Sequence, residues 1–184
     1  MNPEFIIYTG PMMSSKTTKL LAEIERYHYK RQKVVAFKPA IDIRYDNEMI
    51  VSHAGAKFPA AIVSTASELD AKIVAAVEQC ASIIALDEAF MVEGCADILI
   101  KNFRQGCTIL VSSIELSATG QVFTEISKMM PWATKIEKCT AVCVQCGADA
   151  RYTEKKFASL DEIVVGGADM YEPRCWTCHS IISQ

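Results

Sequence analysis

Lys16 and Thr17 close a loop that reads Gly10-Pro11-Met12-Met13-Ser14-Ser15-Lys16-Thr17-Thr18. A short apolar run, Phe5-Ile6-Ile7-Tyr8, precedes it, and Leu20, Leu21, Ile24 and Tyr27 follow at helical spacing. Strand, tight loop with Lys-Thr, then helix is the setting a P-loop requires. In such a loop successive backbone N–H groups and the helix amino terminus form a positive cradle for phosphate oxygens. Lys16 would reach the terminal phosphates, and the Thr17 hydroxyl would hold Mg2+. One position departs from the G-x-x-x-x-G-K-[ST] pattern, because Ser15 stands where the second glycine belongs. A serine restores the Cβ, and in a left-handed conformation that costs about 1–2 kcal/mol.

A second set of chemically capable residues ends an apolar run. Ser82-Ile83-Ile84-Ala85-Leu86 has no polar alternation, as a central parallel strand requires, and Asp87-Glu88 follows it directly. A carboxylate there lies at the carboxyl edge of the sheet, the edge that also carries the P-loop. Asp87 would bind Mg2+ directly or through water, and Glu88 could act as general base on a substrate hydroxyl. Two solvated acids at a strand end is the plain alternative, but Lys16-Thr17 upstream favours a nucleotide site.

The third set is Cys143-Val144-Gln145-Cys146 and Cys175-Trp176-Thr177-Cys178. Each C-x2-C places two thiolates on one side of a tight turn, and two facing knuckles complete a tetrahedral, closed and therefore structural Zn2+ site. Residues 147–174 separate the knuckles, so a long loop should leave and return between them. His179, beside Cys178, is a substitute ligand, and Cys139 a less favourable one. A redox C-x-x-C is disfavoured by the pairing. Cys80, Cys95 and Cys107 lie in apolar segments and read as buried thiols.

The remaining elements must position these groups. Lys33–Lys38 reads as a second strand ended by Pro39, completing a β-α-β unit. Ile50–Lys57 and Ala60–Ser64 read as short strands separated by Pro59. Ser67 looks like the cap of a helix whose face carries Leu69, Ile73, Val77 and Cys80. Val92–Arg104 reads as a helix terminated by Gly106, Thr108–Ile114 as a buried strand, and Glu115–Gln121 as a polar loop. Lys135–Val142 leads into the cysteines. Strand and helix alternate from residue 4 to about 135, which predicts an α/β fold with a doubly wound parallel sheet. We expect a nucleotide-binding domain over residues 1–138 and a small zinc-binding unit over 139–184.

With 184 residues, 51% hydrophobic and 22% charged, the chain suits one globular domain with a small appendage. A net charge of −3 gives no global attraction to nucleic acid, and Lys30, Arg31 and Lys33 read as a solvated helix end. No run reaches the roughly 18 apolar residues of a membrane helix. Glu4 directly before a strand does not read as a signal peptide, so a cytoplasmic protein is expected.

Taken together these residues resemble the type II thymidine kinase family, in which zinc anchors a lasso loop. The resemblance rests on Gly10-Pro11-Met12 with Ser14 and Lys16, Lys38-Pro39-Ala40-Ile41-Asp42 with Arg44-Tyr45, and Asp87-Glu88. It continues through Thr140-Ala141-Val142-Cys143, Tyr152-Thr153, Gly166-Gly167-Ala168-Asp169 with Tyr171, and Cys175 with Cys178. It implies a P-loop NTPase-like fold, transfer of the ATP γ-phosphate to the 5′-hydroxyl of thymidine or deoxyuridine, and assembly as a homotetramer. It also implies that Gly10–Thr18, Asp42 and Arg44 bind ATP, with Glu88 the catalytic base and Asp87 and Thr17 at Mg2+. Met12, Met91, Phe123, Thr153 and Tyr171 match the nucleoside pocket, and the backbone of Val164, Val165 and Gly166 would read the pyrimidine edge.

Three places break that pattern: Ser15, Phe90 where the family commonly has glutamine, and Glu115–Phe123, which lacks the usual Asp, Phe and Arg before its final Phe. A diverged nucleotide binder with altered substrate or little turnover therefore stands as the alternative. A P-loop ATPase whose zinc unit grips nucleic acid would want basic and aromatic residues around the knuckles, and the acidic balance speaks against it.

Overall fold

The computed structural model describes residues 2–42, 48–157 and 166–181. Strand β1 (Phe5–Thr9) leads through the loop into helix α1 (Lys16–Tyr29) and on to β2 (Val34–Pro39). A hairpin of β3 (Met49–Val51) and β4 (Lys57–Pro59) follows, then β5 (Ala61–Val63) and α2 (Ala66–Glu78). Next come β6 (Ile83–Leu86), a 3-10 turn over Ala89–Met91, α3 (Cys95–Arg104), β7 (Thr108–Ser113), α4 (Thr124–Met129) and β8 (Lys135–Lys138). Two small antiparallel pairs close the chain: β9 (Ala141–Val142) with β10 (Asp149–Ala150), and β11 (Tyr152–Lys155) with β12 (Tyr171–Arg174).

Six strands form one sheet in the order β5-β2-β6-β7-β1-β8, and every pairing in it is parallel. Parallel strands need helices on both faces to bury them, and the side chains divide accordingly. Ile6 and Tyr8 of β1, Ile83 and Ala85 of β6, and Leu110 of β7 pack with Leu20, Leu21, Ile24 and Tyr27 of α1. Phe5, Ile7, Ile84, Leu86, Ile109 and Val111 face the other way, against Leu69 and Ile73 of α2, Leu99 of α3 and Ile126 of α4. The expected doubly wound α/β sheet is therefore present. Its order has one consequence for the site: β7 lies between the P-loop strand β1 and the Asp87 strand β6.

Several local expectations are corrected. Cys80 is exposed, not buried, because α2 ends at Glu78 and Cys80 turns out of it at φ 66°, its N–H donating to Val77 O. Val77 is likewise exposed, so the apolar face of α2 is buried only through Leu69 and Ile73. The cap is Thr65 and not Ser67: Thr65 Oγ1 accepts from Glu68 N at 3.2 Å, and the Glu68 carboxylate accepts from Ser64 N at 2.9 Å, which starts the helix two residues early. Pro59 does not lie between strands but ends β4, opposite Met49 of the hairpin, where its missing N–H is tolerated at an edge. Lys135–Lys138 is not a lead-in but the sixth strand of the main sheet. The helix read from Val92 begins at Cys95, because Gly94 adopts φ 80° and the preceding turn follows Glu88 in a left-handed conformation.

Candidate active site

The loop between β1 and α1 is shaped by three residues of unusual backbone conformation. Gly10 has φ 142°, and a Cβ there would lie 2.3 Å from the Cys139 carbonyl oxygen, so only glycine lets β1 and the segment after β8 meet. Met13 and Ser15 sit in the left-handed region at φ 62° and 61°. Ser14, between them and buried, donates from Oγ to Pro11 O at 2.8 Å, tying the loop into a compact turn. This alternation turns successive amides towards one concavity, as an anion nest requires.

Ser15 thus occupies the conformation that the missing glycine would take without strain. Its side chain is exposed and makes no capping bond to α1. The left-handed cost of about 1–2 kcal/mol, less the greater unfolded-state entropy of glycine at about 0.5–1 kcal/mol, leaves a small net gain for Ser15→Gly. For a chain of this size that is expected to raise the thermal midpoint by about 2 °C. Ser15→Ala keeps the Cβ and is expected to gain nothing, a difference that scanning calorimetry reads directly.

A cavity of about 390 Å3 opens over this loop. Its lining runs from Met12 through Thr18, takes in Asp87 and Glu88, and is completed by Lys38, Asp42, His53 and Ala168 among others. Lys16 is buried, and its Nζ donates to Pro11 O at 2.7 Å. Burial lowers its pKa, while the carboxylates of Glu88, Asp87 and Glu115 work in the opposite direction and favour the cation. Thr17 Oγ1 donates to both oxygens of Asp87 at 3.3 Å, joining the two motifs that sequence places far apart. Asp87 is buried at the end of β6 and also receives the Ser112 hydroxyl from β7. Glu88 follows at φ 49°, half-buried, its carbonyl accepting from Met91 N in the 3-10 turn. That backbone reversal makes two adjacent carboxylates point differently.

Of the described residues proposed for the nucleoside side, Met12 is the one that lines this cavity. Its N–H donates to Thr153 Oγ1 at 3.0 Å, tying β11 to the P-loop. Phe123 is buried in the main core with its ring 4.7 Å from that of Phe90, and Met91 is half-buried in the turn after Glu88. Tyr171 is buried on β12 with the Phe157 ring 6.3 Å away. Gly166 lies against Met170, whose sulfur would be 2.2 Å from a Cβ there. Met91, Phe123, Thr153 and Tyr171 are not among the described residues that line the cavity. Arg44, Val164 and Val165 lie outside the described residues.

Sequence reasoning did not assign Lys38, His53 or Ser112 to the site. Lys38 is the penultimate residue of β2, at the carboxyl edge of the sheet where Asp87 directly follows β6, and that edge position was its available signal. His53 arrives on the turn of the β3–β4 hairpin, a placement no local pattern announces.

The four knuckle cysteines converge, with all sulfurs within 4.8 Å of one another and Cys146 Sγ 3.6 Å from Cys175 Sγ. A tetrahedral Zn2+ with Zn–S bonds of about 2.3 Å needs sulfurs about 3.8 Å apart, so the four thiols fit it. The turns have the tightness a knuckle needs: Gly147 N donates to Cys143 O at 2.9 Å and Cys178 N to Cys175 O at 3.2 Å. Burial opposes ionisation of Cys143, but N–H donors from Cys175, Gln145 and Cys146 outweigh it and hold the thiol at about 6. Neither substitute ligand joins the group. His179 is buried with Nε2 3.0 Å from Thr153 O, while its Nδ1 accepts from Ile181 N, which fixes the proton on Nε2. Cys139 is buried beside α1 and β1 in the main core.

The chain is similar to known proteins along nearly its whole length. A family model described as thymidine kinase matches residues 4–179. The thymidine kinase of Mesoplasma florum is 31% identical over 183 residues, covering 95% of this chain and 90% of that protein.

Proposed function

Because this chain belongs to the thymidine kinase family, we propose that it moves the γ-phosphoryl group of ATP to the 5′-hydroxyl of thymidine with Lys16, Thr17, Asp87 and Glu88. The observation that carries this assignment of roles is the convergence of Thr17 and Asp87 at 3.3 Å beside Lys16 and Glu88 on one cavity.

Phosphoryl transfer asks little covalent chemistry of a protein; it asks for in-line positioning and for neutralisation of charge on the transferred oxygens. The nest from Met12 to Thr18 supplies amides to the phosphates. Lys16, released from Pro11 O, supplies the mobile positive charge. Thr17 and, directly or through water, Asp87 would hold Mg2+, which would supply positive charge to offset that of the phosphates. Glu88 accepts the proton of the 5′-hydroxyl as the oxygen attacks phosphorus, and ADP leaves with the former bridging oxygen. Asp42 and Arg44 are assigned to ATP in this proposal on the family resemblance. Met12, Met91, Phe123, Thr153 and Tyr171 hold the nucleoside, and the backbone of Val164, Val165 and Gly166 reads its pyrimidine edge.

Zn2+ on Cys143, Cys146, Cys175 and Cys178 is structural in this proposal and fixes both ends of the lasso. The units 1–138 and 139–184 divide the work, the first holding ATP and the second closing over the nucleoside. A homotetramer in the cytoplasm completes the reading; no helix among the described residues is long and apolar enough to cross a membrane. Incubation with ATP and a panel of nucleosides, with chromatography of the products, tests it. Thymidine 5′-monophosphate and ADP in equal amounts are expected. ADP without a nucleotide product would overturn the reading.

A further inference from the structure

The end of β7 carries two adjacent hydroxyls, Ser112 and Ser113, with 1% and 0% of their surfaces exposed. Hydroxyls are costly in the centre of a parallel sheet unless bonded; Ser112 bonds to Asp87, and Ser113 to Phe90 in the 3-10 turn just after Glu88. We propose that Ser112 and Ser113 are positioning residues that hold this turn from its two sides, Ser112 aligning the Asp87 carboxylate and Ser113 anchoring the segment that aims Glu88. The proposal rests on the roles given above to Asp87 with Mg2+ and Glu88 as base.

The register explains how one strand reaches both ends of the turn. β6 and β7 are parallel, with Leu86 beside Val111, which puts Asp87 level with Ser112. Side chains alternate between faces, and Ile83 and Ala85 of β6 share the α1 face with Leu110 of β7. Asp87 and Ser112 continue those two rows on the same face, where Thr17 lies in the first turn of α1. Oδ1 of Asp87 accepts from Ser112 and from Thr17, so its charge is drawn by two fixed donors and the carboxylate plane is set. A hydroxyl on a carboxylate makes a charge-assisted bond, the stronger kind.

Ser113 points to the opposite face. Its Oγ accepts from Phe90 N at 3.1 Å and donates to Ile114 O at 3.1 Å. Phe90 is two residues past Glu88, whose φ of 49° is a strained conformation for glutamate. Such a conformation persists only where neighbouring bonds fix it. Ser113 supplies one on the far side of the turn, and Phe123 packs on the Phe90 ring beyond it.

The two serines therefore separate experimentally. Mg2+ is titrated calorimetrically into the full-length protein holding a non-hydrolysable ATP analogue, and turnover is measured in parallel. Ser112→Ala is expected to raise the Mg2+ concentration for half-saturation about tenfold, the lower end of losing a hydrogen bond to a charged group. Ser112→Thr, which keeps the donor, is expected to recover most of that loss, and Ser112→Cys, a weak donor of similar size, to lie between. Ser113→Ala is expected to leave the Mg2+ midpoint in place and lower kcat. Asp87→Asn is the reference. If Asp87→Asn leaves the midpoint unmoved, Asp87 is not the Mg2+ partner and the role of Ser112 falls with it. If Asp87→Asn shifts the midpoint while Ser112→Ala does not, Asp87 keeps its role and the proposal alone is overturned. Parallel losses in midpoint and kcat from both serine variants would also overturn it, because they would mean general loosening of the sheet edge.

Discussion

Glu88→Gln is expected to lower kcat for thymidine phosphorylation roughly 10²–10⁴-fold, the range for loss of a positioned general base. The substitution is nearly isosteric, so the left-handed turn at residue 88 and the 3-10 turn after it should survive. A competing explanation must be separated from this one. Glu88 is also the foremost carboxylate that favours the charged form of Lys16 against its burial. Its removal could therefore act through the lysine and not through the substrate hydroxyl. The two routes differ in what they do to ATP. Loss of the base removes an interaction made with the attacking oxygen, so kcat falls and calorimetric ATP affinity stays. Weakening of Lys16 removes charge from the phosphates in ground and transition states alike, so both fall together. Lys16→Ala supplies the second signature for comparison. Turnover at the parent rate in Glu88→Gln would remove Glu88 from the mechanism.

The features of this site that are legible in sequence are those with a period or a fixed local spacing. The apolar run Ile83–Leu86 announces a strand buried on both faces, and its side chains do alternate between the two cores. Leu20, Leu21, Ile24 and Tyr27 announce one face of α1, and all four are buried there. The paired C-x2-C segments announce a cluster whose sulfurs converge. What is not legible depends on which strands become neighbours. Sequence gives no sign that β7 inserts between β1 and β6, and so none that Ser112 meets Asp87. Nor does it bring the β3–β4 hairpin over the loop, which places His53 on the cavity. Periodicity misplaces Cys80 for a local reason: the helical pattern continues past the residue at which α2 stops, where a left-handed turn sends the thiol into solvent.

Removal of Zn2+, by Cys143→Ser or by a strong chelator, is expected to cost most of the ordering of the second unit while the sheet stays folded. The separation follows from the packing. The two main cores draw their buried residues from Phe5 to Cys139, whereas the third consists of Ala141, Cys143, Ala150 and Cys175, with Cys178 against it. So small an apolar cluster cannot hold two short hairpins alone, and structural zinc supplies about 10–16 kcal/mol of apparent binding energy in small domains. The consequence for activity runs through a chain of contacts. Cys175 O accepts from His179 N, His179 Nε2 donates to Thr153 O, and Thr153 Oγ1 accepts from Met12 N in the P-loop. Loosening the knuckles releases His179 and then Thr153, so the nucleoside side of the site loses its anchor before the phosphate side does. The thymidine KM is therefore expected to rise at least tenfold, about 1.4 kcal/mol of lost binding, with ATP affinity changed far less. Metal analysis should give one Zn2+ per chain in the parent and none in Cys143→Ser, and melting should retain the main transition. No zinc in freshly purified, reduced parent protein would remove the metal from the account. An unchanged thymidine KM in a zinc-free variant would show that β11 and β12 hold the lasso without it.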